Sequence, residues 1–338
     1  MKAIILQEPG KFEIVTKPAP ASPGPGEVLL KIRNISICGT DLHAFEGKQP
    51  FFTYPRILGH EVAAQVVAVG EEVSGIQPGD SCTIEPYRNL VIDQAVLRGK
   101  TNCGSKLTVF GVHEDGAMQE YIIFPASHVH LTNDLPAEQV SLVEPFAIGS
   151  HAVERAELKP NDTVLVIGAG PIGLGIIALA RLHGVKIVVL DMVASRLAFA
   201  GKKFPGVATI LAGNEVIEQL EQVFNGDLPT VIFDATGNKS SMQESFNLIA
   251  AGGTIVFVGL FTGEIVFDDP NFHRKEITLK ASRNARAADF RKVINLMKSG
   301  LLDTEGFITH RLQADDLVRD FEKLFVKEEQ VIKAVVSF

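Results

Sequence analysis

Between Thr163 and Ala180 the chain carries no charged residue, yet Gly168, Gly170, Pro171, Gly173 and Gly175 crowd this apolar run. It is close to the length of a membrane span, but glycine and proline at that density end a spanning helix early. The run divides instead into a strand, VLVI, a glycine turn, and a helix from Ile172. Set directly between strand and helix, Gly168-x-Gly170-x-x-Gly173 lets the backbone close on a pyrophosphate at the helix N-terminus. Such glycines also serve ordinary strand-to-helix turns, so the next strand matters. KIVVLD ends in Asp191, about 20 residues on, where a carboxylate accepts hydrogen bonds from adenosine ribose hydroxyls and repels a 2′-phosphate. NAD is therefore expected over NADP, with Arg196 a nearby cation that works against this preference.

From Thr163 onward, strands (KIVVLD, VATIL, TVIFDATG, GTIVFVG) alternate with helical segments, which predicts a parallel sheet with right-handed crossovers. Before about residue 145 the texture differs: AIIL, FEIV, EVLLKIRNISI, VAAQVVAVG and AMQEYIIFP are short β-rich runs punctuated by proline and glycine. The tail, a helix over Asp289 to Lys298 and a last strand in IKAVVSF, leaves the alternation and is assigned back to the first module. The predicted domains are 1–148 with 285–338, and 149–284, in an α/β chain of 338 residues long enough for two cores.

Composition excludes several partners. Lys and Arg number 32 against 40 Asp and Glu, net −8, with no block of one sign, so neither nucleic acid nor an anionic membrane is an expected partner. Three cysteines cannot make a disulfide framework, and MKAIILQEPG has no apolar leader core, which points to the cytoplasm.

Taken singly, Cys38 in ICGTDLH reads as a small buried hydrophobe and His60 in LGHE as an ordinary imidazole. Together they bring thiolate, imidazole and carboxylates to strand ends and turns of one β module, a donor set suited to zinc. CGTDLH, then GHE, then EP in LVEPF, then VIGAGPIGLG resembles the zinc-dependent alcohol and polyol dehydrogenases of the medium-chain superfamily, over essentially the whole chain.

That resemblance implies a GroES-like irregular β-barrel catalytic domain formed by both chain ends, with a Rossmann doubly wound parallel sheet inserted between them. Carried over by residue, it makes Cys38, His60 and Glu61 ligands of one catalytic zinc, and Glu144 a second glutamate that binds directly or through water. Asp41 matches a carboxylate that orients a ligand histidine, and Thr40 and His43 a proton relay, with Glu61 also counted among the catalytic residues. Thr236 and Gly237 in DATGN, and Val258, Gly259 and Leu260 in VGL, match further cofactor contacts. The implied reaction moves a hydride from a secondary hydroxyl to NAD, in a homodimer or homotetramer. Two rival readings are a zinc-free NADPH quinone or enone reductase and a non-catalytic cofactor-binding protein. The full ligand set with Asp191 opposes the first, and intact Thr40 and His43 oppose the second.

One departure stands out. Many members hold a second, structural zinc on four cysteines, whose positions here are Leu90, Asp93, Val96 and Gly104. One zinc per chain is therefore expected, with the lobe over 88–104 held by apolar packing or serving as a subunit contact. GKQPFFTYPRILGHE, GVHEDG, EPFAI and VGLFTGEIVF are similar to the L-galactonate 5-dehydrogenase-like branch of sugar-acid dehydrogenases. A sugar-acid carboxylate needs a cation, for which Arg283 is the candidate, with Phe45, Gln49 and His113 as pocket walls.

Overall fold

The computed structural model describes residues 1–49, 52–326 and 330–338. They form two compact units, Met1–Glu144 with Ala285–Phe338, and Pro145–Asn284. The division falls after Glu144, inside the helix Val143–Ala156, where the sequence reading placed it after residue 148. That helix was not anticipated. Pro145 lies in its first turn, where a missing N–H costs no intrahelical bond.

The second unit is built on a six-stranded sheet ordered Ala208–Leu211, Lys186–Asp191, Thr163–Ile167, Val231–Asp234, Thr254–Phe257, Thr278–Ala281. All five pairings are parallel. The chain starts in the third position, winds out to one edge and returns to the other side, which is the doubly wound order. Val164, Leu165, Val166, Val188 and Val189 are fully buried, as strands covered on both faces require. Helices occupy Pro171–Ala180, Ala194–Lys203, Val216–Val223 and Lys239–Leu248, where the alternation predicts them. A short extra helix, Asp269–Arg274, starts where Asp268 accepts the Asn271 N–H at 3.0 Å.

In the first unit, Glu27–Ser36 pairs with Glu61–Val69, Tyr121–Pro125 and Lys333–Ser337 within one seven-stranded sheet. The C-terminal strand thus returns to the N-terminal module. Along Glu27–Ser36 buried and half-exposed residues alternate until irregularities at Leu29/Leu30 and Ile32/Asn34 break the register. Beyond them Asn34, Ile35 and Ser36 are all buried, and Ser36 stands opposite both Glu61 and Val335. Those two pairings position the candidate site. No helix among the described residues is long and apolar enough to cross a membrane.

Candidate metal centre and cofactor cavity

Cys38 follows the buried end of Glu27–Ser36 and precedes the helix Gly39–Phe45. Its N–H donates to Asp41 Oδ2 at 2.9 Å, which locks the turn. Just ahead of the neighbouring strand Glu61–Val69, His60 follows Gly59, where a φ of +94° and the closeness of Ile35 and Met118 favour glycine. These turns gather donor atoms of Cys38, His60 and Glu61 within 4.8 Å of one another. Glu144 lies outside that trio but close enough to bear on the charge of His60 and Glu61.

The surroundings of His60 fit a cation. Its Nδ1 is buried without a hydrogen-bond partner. Burial disfavours the imidazolium, but the hydrogen bond and charge of Cys38, with Asp41 and Glu144, outweigh it and push the pKa up to about 10. Burial likewise raises the Asp41 carboxyl, and takes Glu144 up to about 7 despite the opposing pull of His60. Thiol, imidazole and carboxylates packed this closely suit zinc, which would take the place of that proton.

Three supporting residues went unread in the sequence. Lys333, 4% exposed, donates to Glu61 Oε1 at 2.6 Å and to the Ile37 carbonyl at 3.0 Å. Ser36 Oγ contacts Glu61 Oε2 and lies 2.9 Å from the Ser141 carbonyl. The Tyr87 hydroxyl donates to Glu144 Oε1. A lone lysine inside the apolar run IKAVVSF was the available signal for Lys333; a serine and a tyrosine at strand ends carry none. Thr40, half-buried, and His43, exposed, stand three residues apart on Gly39–Phe45 and so share a face.

In the second unit a cavity of about 640 Å³ is lined by Gly168, Gly170, Asp191, Arg196, Thr236 and neighbours. Pro171, Ile172, Gly173, Gly237, Val258, Gly259 and Leu260 are not among its lining residues. Gly173 allows the tight turn: a Cβ there would fall 1.8 Å from the Gly168 carbonyl oxygen. Pro171 occupies the first turn of Pro171–Ala180, and Ile172 follows it. Asp191 is 7% exposed and holds the turn directly, Oδ2 accepting the Ala169 N–H at 2.6 Å and Oδ1 the Val193 N–H at 2.8 Å. Val258 and Gly259 donate to the Asp234 carbonyl, tying the VGL turn to DATGN, and Leu260 is 80% exposed.

Two of the residues expected to wall a substrate pocket have local structural partners. Phe45 stacks on Phe12 with centroids 5.4 Å apart and packs against Phe321 at 5.0 Å, so its ring serves the core of the first unit. His113 is exposed and accepts the Val109 N–H at Nδ1, closing a local turn. Gln49 is half-buried, next to Pro50 and Phe51, which lie outside the described residues, and Arg283 is an exposed residue after the last strand of the second unit.

The lobe over 88–104 corrects an expectation. Leu90, Ile92 and Leu97 are 66%, 77% and 77% exposed, so apolar packing does not hold it. Hydrogen bonds do: Asp93 accepts the Val96 N–H at 3.0 Å and the Ser105 N–H at 2.6 Å, and Asn89 donates to the Thr101 carbonyl at 2.8 Å. Cys103 is exposed there.

Residues 24–134 match the family model for the alcohol dehydrogenase GroES-like domain, and residues 171–299 that for zinc-binding dehydrogenase. The chain is 39% identical over 338 residues to L-galactonate-5-dehydrogenase of Escherichia coli K12, covering 100% of this chain and 99% of that one. It is 31% identical over 331 residues to sheep (Ovis aries) sorbitol dehydrogenase, covering 95% and 92%. The crystal structure of the short chain alcohol dehydrogenase rspB from E. coli CFT073, complexed with NADH, superposes with a TM-score of 0.93 at 29% identity, covering 100% and 99%.

Proposed function

The chain belongs to the zinc-dependent medium-chain dehydrogenases, and on that premise we propose that it oxidises a secondary hydroxyl of a sugar acid or polyol to a ketone, with NAD as acceptor. The donor atoms of Cys38, His60 and Glu61, lying within 4.8 Å of one another, carry this reading. When bound, one zinc supplies the Lewis acidity that lets a neutral-pH alcohol ionise, and the nicotinamide takes the hydride.

The protein's own residues bind, orient and move the proton. Cys38, His60 and Glu61 hold the metal, with Glu144 a further carboxylate beside it. Asp41, tied to the Cys38 N–H, fixes the turn that presents the thiolate. Thr40 would relay the substrate's proton, its hydroxyl taking that proton up as it hands its own on, and His43, exposed on the same helix face, would accept it and release it to water. Asp191 discriminates for NAD, since its carboxylate, fixed by two backbone N–H groups in the lining of the cavity, repels a 2′-phosphate.

The 39% identity to L-galactonate-5-dehydrogenase favours a sugar acid over a neutral polyol, with Arg283 as the cation for its carboxylate and Gln49 as a polar contact. The donor set and Asp191 oppose a zinc-free NADPH reductase. Assembly as a homodimer or homotetramer in the cytoplasm belongs to the same reading. The test is NADH formation at 340 nm against L-galactonate, other aldonates, sorbitol, galactitol and simple alcohols. Preference for an aldonate supports the sugar-acid reading; turnover of neutral polyols alone removes the carboxylate argument while leaving the reaction type.

A further inference from the structure

Glu144 heads the helix Val143–Ala156 with its side chain buried, and among the described residues its hydrogen-bond partner is Tyr87, whose hydroxyl donates to Oε1. Tyr87 is itself 3% exposed and opens the strand Tyr87–Asn89, paired with Leu107–Val109. Its ring meets the edge of Phe290 at 6.3 Å and 66°, and the fully buried Phe290 stacks in turn on His130 at 5.2 Å and 10°. The hydroxyl therefore stands on a backbone ladder and an aromatic stack, with little freedom to follow the carboxylate if it moves. A carboxylate has two oxygens, and a buried donor fixed on one of them decides which remains. Glu61, by contrast, meets Lys333 at both oxygens and Ser36 at Oε2.

The geometry points to Tyr87 as a positioning residue for the metal centre: by holding Oε1 of Glu144 it fixes the orientation in which that carboxylate is offered to a metal. This rests on the metal reading of the preceding subsection. Tyr87 touches none of the reacting atoms in this role. It sets the direction of the Glu144 carboxylate near Cys38 and His60, and so the affinity and symmetry of the site.

The test uses the full chain with zinc, and with cobalt(II) as a spectroscopic substitute. Zinc affinity is measured by chelator competition for the parent, Tyr87→Phe, Glu144→Gln and the double variant, and the cobalt d–d absorption is recorded for each. Tyr87→Phe is expected to weaken zinc about 10-fold or more and to change the intensity of the cobalt bands as the Glu144 carboxylate loses its fixed orientation. Added to Glu144→Gln, it should have almost no further effect on either readout. Parent-like affinity and spectrum in Tyr87→Phe overturn the proposal, as does an equal loss with and without Glu144, which would mark a merely structural role. If Tyr87→Phe does not fold, Glu144→Gln decides alone: zinc bound as tightly as in the parent places Glu144 outside the metal's reach and ends the proposal. A parent chain that binds no zinc refutes the metal reading itself, so the two failures are distinct.

Discussion

Lys333 Nζ and Glu61 Oε1 lie 2.6 Å apart, joined across 272 residues of sequence and both almost wholly buried. Moving either charge out of water costs several kcal/mol, which the pair offsets only while both partners are present. The lysine stays charged because Glu61 and Cys38 outweigh the effect of burial and raise its pKa. Lys333→Met leaves Glu61 buried and uncompensated, so denaturant unfolding of the metal-free protein should show a loss of about 3–5 kcal/mol. Unchanged stability would mean that Glu61 finds another partner.

Cys38→Ser should abolish turnover while leaving cofactor binding within about twofold of the parent. The cavity residues all lie in Pro145–Asn284, whereas Cys38 belongs to the other unit. NADH fluorescence titration beside a zinc assay checks both halves. Retained turnover without zinc would favour the zinc-free reductase.

Asp191 ties the glycine turn and, on the proposed reading, also accepts from the cofactor ribose, and the outcome of one substitution tells these roles apart. Because Oδ2 holds the Ala169 N–H of the glycine turn, Asp191→Ala removes a structural tie as well as a ribose acceptor. A charge-assisted hydrogen bond is worth about 1.5–3 kcal/mol, so NAD should weaken at least 10-fold. NADP should gain little, since the turn that receives either pyrophosphate loosens too. A clean switch to NADP in isothermal titration would show that Asp191 acts by repulsion alone.

The exposed lobe depends on Asp93. Hydrogen bonds from the Ser105 and Val96 backbone hold its carboxyl down at about 2, below the ordinary 3.8. A depressed carboxylate stabilises above its ordinary pKa and loses that contribution as pH falls through the lowered value, so this tie persists to about pH 2. Asp93→Ala should speed trypsin cleavage at Arg98 and Lys100 several-fold with little change in Tm, read by mass spectrometry of timed digests. Unaltered cleavage would assign the lobe's order to other contacts.

The second unit was legible because its signals are local. VLVI, the glycine turn and KIVVLD each announce an element within a few residues, and strand-helix alternation fixes a doubly wound sheet. Cys38, His60 and Glu61 were put together by the resemblance that CGTDLH and GHE carry, and the fold brings their donor atoms within 4.8 Å of one another. Lys333, Ser36 and Tyr87 were not legible. Their contacts depend on which strand lies beside which, and on irregularities in Glu27–Ser36 that shift the pairing register. The same limit explains the lobe: its apolar residues suggested packing, but Asp93 and Asn89 bind backbone groups and leave the side chains in water.

The central claim is that one zinc, held by Cys38, His60 and Glu61, makes this chain a dehydrogenase. The most direct measurement is NADH formation with L-galactonate after complete zinc removal, followed by stepwise addition of zinc to the same sample. Activity should vanish with the metal and return in full at one zinc per chain. Undiminished turnover in the metal-free protein, or a requirement for two zinc ions per chain, would contradict it.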